Sequence, residues 1–127
     1  MTPRFLQPFK KFADFKGRAS RTEYWAFHSF MAATYFASIV AVVAVNWGDD
    51  PLSMMVPVLM ASFAVLLVFS VPAVSVGVRR LHDAGFSGLW TFIVLLPYLG
   101  LLVLMVLCCL PGDNGDNRYG PDPLAED

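Results

Sequence analysis

Three stretches without a single Asp, Glu, Lys or Arg, residues 24–48, 51–78 and 84–112, take up most of this chain. A helix rising about 1.5 Å per residue needs about 20 apolar residues to cross roughly 30 Å of hydrocarbon, and each stretch is longer than that. A surface facing water carries charge all along the chain. Here charged residues make up 15% of the total against 57% apolar, and the charges fall in short clusters around and between the runs. The pattern predicts an all-α integral membrane protein forming one domain, with three transmembrane helices over about 21–46, 52–82 and 88–110 and a polar tail over 111–127. The first run begins after more than twenty residues, is long enough to span and is followed by two more, so it reads as a retained helix rather than a cleaved signal.

Charge sets the expected orientation. Arg4, Lys10, Lys11, Lys16, Arg18 and Arg21 all precede the first run. The first connection carries Asp49 and Asp50 and no cation, and the second carries Arg79 and Arg80. Basic residues are retained on the cytoplasmic side, which places the N-terminus in the cytoplasm and, with three spans, the C-terminus in the periplasm. Ahead of the spans, Phe5, Phe9 and Phe12 fall on one helical face with Lys10 and Lys11 turned away. That spacing predicts a short amphipathic interfacial helix over about 3–14, with its lysines near anionic lipid headgroups.

Local signals place the helix ends. Ser20 and Glu23 have the spacing of a capping box, in which each side chain accepts from the other residue's amide, so the first span begins near Arg21 with Tyr24 and Trp25 at headgroup depth. Within it Ser29, Ala33, Ala37 and Ala41 recur every four residues. Such a narrow face of small side chains lets backbones approach closely, a packing seam for another helix of this chain or of another copy. Pro57 and Pro72 each remove an intrahelical bond from the second span, with a kink expected at Pro72, and Pro97 and Gly100 loosen the third. Gly85 suits the end of the second span and Ser87 the cap of the third.

The polar residues with most chemical potential are Arg18, Arg21, Glu23, Arg79, Arg80, His82 and Asp83, which the expected topology brings to one membrane face. Opposite charges beside hydrocarbon attract more strongly than in bulk water, so Glu23 and Asp83 are expected to pair with arginines of the other motif, Glu23 with Arg79 or Arg80. Four arginines against two carboxylates leave spare positive charge for an anionic lipid headgroup, a soluble anion or a partner protein. Metal binding is not expected: His82 and Asp83 are adjacent and so point apart on a helix, and His28 is the only other histidine. Cys108 and Cys109 read as small hydrophobes. Asp113, Asn114, Asp116 and Asn117 invite a calcium loop, but Gly115 stands at its third position and Leu124 where the bidentate glutamate belongs, so a turn is the better reading. The basic N-terminus serves orientation and lipid contact rather than nucleic acid.

The segments Gly-Arg-Ala-Ser-Arg-Thr-Glu-Tyr-Trp at 17–25, Arg-Arg-Leu-His-Asp-Ala-Gly-Phe-Ser-Gly at 79–88 and Pro-Gly-Asp-Asn-Gly-Asp-Asn-Arg-Tyr-Gly-Pro at 111–121, in that order, resemble the bacterial membrane family called domain of unknown function 805. Leu89 ahead of Trp90 departs from the family's paired tryptophan. The resemblance implies a small, multi-pass protein of the bacterial inner membrane and brings no activity or cofactor with it. No Asp, Glu, Lys, Arg or His lies mid-run, where ion and proton pathways need a charged group. The leading expectation is therefore a structural or accessory protein of the lipid bilayer that assembles through helix packing and the cytoplasmic arginine/carboxylate cluster, as a homo-oligomer or subunit of a larger membrane complex, rather than an enzyme. A small oligomeric channel or transporter is the alternative, and a membrane enzyme the third.

Overall fold

Ser20, extended in its backbone, accepts the Glu23 amide at 3.1 Å through its hydroxyl and so starts the first long helix. In this computed structural model, which describes residues 7–125, the order is α1 (Gln7–Lys10), α2 (Arg21–Val45), α3 (Pro51–Asp83), a 3-10 helix (Gly88–Leu95) and α4 (Leu99–Cys109). No β-strand occurs among the described residues, and one isolated bridge joins Asn117 and Gly120. Two helices, Arg21–Val45 and Pro51–Asp83, are long and apolar enough to cross a membrane. Asp50 caps α3 by accepting the amides of Leu52 and Ser53 at 3.1 and 3.0 Å, and Pro51 fills the first turn, where its missing amide hydrogen costs nothing. The helix runs without interruption through both Pro57 and Pro72.

α2 and α3 pack against each other through an aromatic cluster at the arginine half of the molecule. Phe9 of α1 lies edge-on to Phe27 and Phe69, both at 5.4 Å between ring centroids, and to Phe30 at 6.3 Å. Farther along, the Tyr35 hydroxyl meets Ser62 at 3.3 Å. Beyond α1 the chain turns, and Ser75 of α3 donates its hydroxyl to the carbonyls of Lys11 and Asp14. The expected interfacial helix over 3–14 is thus a single turn in its described part: Phe9 is drawn into the helix pair, Phe12 faces outward, and Phe5 lies outside the described residues.

The third apolar run is not one helix. The Gly88–Leu95 arm ends at Leu96, and α4 returns beside it. The reversal is a γ-turn of the rare positive-φ kind, centred on Tyr98 at φ 64° and ψ −55°, with Leu99 donating to the Pro97 carbonyl at 2.8 Å. The two arms touch at Gly100, where a Cβ would collide with the Ile93 carbonyl. At about 2.0 Å per residue for the 3-10 arm and 1.5 Å for α4, each arm is roughly 16 Å long, about half the hydrocarbon thickness. A span over 88–110 therefore gives way to a hairpin: Pro97 removes an amide hydrogen and Gly100 admits the close contact.

Candidate functional site

The hairpin returns the chain to the end of the molecule where α2 begins and α3 finishes, and there three polar motifs meet. Ala19, fully buried, donates its amide to the Arg79 carbonyl at 3.0 Å, which fixes the approach to α2 against the last turns of α3. From the preceding position the Arg18 side chain points into the junction. Its Nε donates to Asp83 Oδ1 at 2.9 Å, its Nη1 to the Gly115 carbonyl at 2.5 Å and its Nη2 to the Asp113 carbonyl at 2.6 Å. Arg80 takes the other oxygen of Asp83, and its remaining donors reach the carbonyls of Cys108, at 3.0 Å, and Leu110. Those carbonyls belong to the C-terminal end of α4, which has no intrahelical donors left and carries the negative end of the helix dipole, so Arg80 acts as its cap.

Arg79 pairs with Glu23, Nη1 to Oε1 at 2.8 Å. The expected capping box is therefore used on one side only: Ser20 accepts the Glu23 amide, while the Glu23 carboxylate faces α3. Arg79 is completely buried, and its Nε and Nη2 have no hydrogen-bond partner. His82 lies at the rim, its Nδ1 at 3.2 Å from the Gly17 carbonyl and its ring stacked on Tyr119 at 3.9 Å with only 6° between planes. Arg21 stands apart, exposed, with one long contact of 3.4 Å to the Cys109 carbonyl. The structure thus gathers Arg18, Glu23, Arg79, Arg80, Asp83 and His82 and leaves Arg21 at the edge.

The tail completes this junction, and sequence reasoning placed it elsewhere. Asp113 donates its amide to the Asp83 carbonyl at 2.8 Å, Asn117 donates its side-chain amide to the His82 carbonyl at 3.0 Å, and Arg118 donates to Gly85 at 3.2 Å while lying 4.7 Å over the Tyr119 ring. Gly112 fits because it has no Cβ, which would strike the Asp83 carboxylate. Asp122 folds the loop on itself, accepting the Leu124 amide at 2.9 Å and that of Gly115 at 3.0 Å, which holds its carboxyl below the usual carboxylate range. A tail at the end opposite Arg18, as three spans require, is corrected by these contacts: one arginine, Arg18, binds Asp83, Asp113 and Gly115 at once. The available signal was Arg118, a cation in a tail assigned to the side that disfavours cations.

Of the other candidates, His28 bonds the Tyr24 carbonyl at 2.9 Å, one turn back on its own helix. Cys108 is buried and Cys109 exposed, both as free thiols. Among the described residues no three His, Cys, Asp or Glu side chains are grouped to hold a metal ion. Ser29, Ala33, Ala37 and Ala41 are all exposed.

Two long apolar helices closed at one end by a buried ionic junction are an all-helical architecture consistent with a small membrane protein. The chain belongs to the family described as protein of unknown function (DUF805), whose profile matches residues 12–121. It is 38% identical over 119 residues to the inner membrane protein YhaI of Escherichia coli strain K12, covering 94% of this chain and 93% of that protein. The inner membrane protein YhaH of the same strain is 33% identical over 127 residues, covering 96% and 97%. No solved structure matches the chain.

Proposed function

We propose that this protein is a structural or accessory component of the inner membrane, crossing it with α2 and α3, that assembles with further copies of itself or with a larger complex through the small-residue face of α2. The observation that carries the reading is the division of labour between the two candidate surfaces. The buried guanidiniums of Arg18 and Arg80 direct their donors at the chain's own carboxylates and carbonyls, so the cluster holds the fold together. Ser29, Ala33, Ala37 and Ala41 face outward instead, and in lipid, where apolar burial drives nothing, such a face gains from close backbone packing against another helix.

The arginine end faces the cytoplasm in this reading. With the tail returned there, the eight described Lys and Arg residues all lie on that half, while the connection at 46–50 carries only Asp49 and Asp50. The exposed lysines of the N-terminal segment then meet anionic headgroups. Chemical crosslinking in native membranes tests the assembly: a ladder of adducts that Ala37→Leu abolishes supports it, and a monomer unaffected by that change contradicts it. A second reading, recognition of an anionic lipid headgroup, is favoured by one observation, the exposed guanidinium of Arg21 at the edge of the junction, with a single 3.4 Å contact to the Cys109 carbonyl. Retention of co-purifying anionic phospholipid by the wild type and its loss in Arg21→Gln distinguishes the two readings.

A further inference from the structure

The hairpin over 88–109 has no water-compatible face. Between Ala84 and Gly112 there is no Asp, Glu, Lys, Arg or His, and Leu89, Phe92, Leu95 and Leu99 point outward, Leu95 with 76% of its surface exposed. Both ends of the hairpin are tied to one place: Gly88 lies against Val78 and His82, and the carbonyls of Cys108 and Leu110 lie on Arg80. Each arm is half as long as a bilayer is thick, so a hairpin that starts and ends at the arginine junction reaches no farther than mid-membrane.

We propose that residues 88–109 form a re-entrant hairpin that enters and leaves the membrane on the arginine side, its apolar surface in contact with the acyl chains of that one leaflet. The inference rests on α2 and α3 crossing the membrane. The tip meets the main demand hydrocarbon makes on an irregular backbone. Leu96, Leu99 and Gly100 donate their amides to the carbonyls of Ile93, Pro97 and Leu96, and Pro97 has no amide hydrogen to satisfy. Lying in water, the hairpin would expose an apolar area far beyond the isolated patches of soluble surfaces. Crossing the membrane, it would have to abandon every contact between the tail and Arg18.

Reporter domains in the full-length chain test this. Alkaline phosphatase, active only in the periplasm, inserted after Asp49 should be active. Fused after Asp127 it should be silent, whereas green fluorescent protein at that position should fluoresce. Phosphatase activity at both sites overturns the hairpin and leaves the α2 crossing intact. Silence at both overturns the crossing of α2 and, with it, the hairpin. Contact with lipid is read separately by leaving Trp90 as the sole tryptophan through Trp25→Phe and Trp47→Phe. Phospholipids brominated on their acyl chains should then quench most of its emission in vesicles. Quenching by aqueous iodide instead, or by neither agent because another protein copy covers the arm, overturns the proposal.

Discussion

Arg18 donates its Nε to Asp83 at 2.9 Å across 65 residues of sequence, and Arg80, one helical turn before Asp83, takes the other carboxylate oxygen. One buried anion thus pairs with two buried cations and ties the entrance of α2 to the exit of α3. Asp83→Asn removes that charge and turns an amide donor toward a guanidinium. Breaking a buried pair from one side costs about 3–5 kcal/mol, because the remaining charge stays desolvated. Thermal unfolding in detergent should show Asp83→Asn strongly destabilised, and an unchanged midpoint would refute the role assigned to Asp83.

The Glu23–Arg79 pair is separable from that junction. Glu23→Gln leaves the buried Arg79 without its counter-charge, whereas Glu23→Gln with Arg79→Met removes both charges together. Residues in direct contact are non-additive by about 0.5–3 kcal/mol, and the double variant should be more stable than the sum of the singles. A double-mutant cycle by chemical denaturation measures this coupling.

The hairpin tip predicts two substitutions of opposite sign. Gly100→Ala drives a methyl group into the Ile93 carbonyl, a backbone atom that cannot swing aside, and should destabilise the protein or open the hairpin. Tyr98 is 94% exposed and holds φ at 64°, a region that costs an L-residue about 1–2 kcal/mol, so Tyr98→Gly should raise stability by a comparable amount. Parallel melting curves of the two variants decide the point.

Much of this architecture was legible in the sequence. The lengths of the first two apolar runs give α2 and α3, Ser20 marks where α2 begins, and the carboxylates of two motifs had natural partners among the arginines. The third run misleads because composition cannot distinguish one span from two half-length arms: 84–112 is as apolar as a true span, and a reversal centred on Tyr98 depends on backbone geometry that residue type does not announce. The tail misleads for a related reason. Its hold on Arg18 runs through the carbonyls of Asp113 and Gly115, groups every residue possesses, so no count of charges reveals it. Spacing likewise identifies the stripe from Ser29 to Ala41 without saying that α3 leaves it exposed.

A pH dependence follows from Asp50, whose carboxyl is held below its ordinary value first by the Ser53 amide. A depressed folded value means that the cap stabilises α3 above the unfolded carboxylate value of about 3.9 and loses that contribution as pH falls through the lower folded one. Carbon NMR titration of the Asp50 carboxyl should give a midpoint below that of a peptide covering 49–53, with the Ser53 amide shift following the same curve. A midpoint equal to the peptide's would contradict the cap.

The whole account depends on the tail meeting the α3 terminus at the arginine end, and the stacked rings of His82 and Tyr119, 3.9 Å apart, offer a direct probe. A benzophenone amino acid in place of Tyr119, irradiated in native membranes, should join the tail to the peptide containing His82 or to the Gly17 segment beside it. Crosslinks to the connection at 46–50, at the far end of α2, would contradict it.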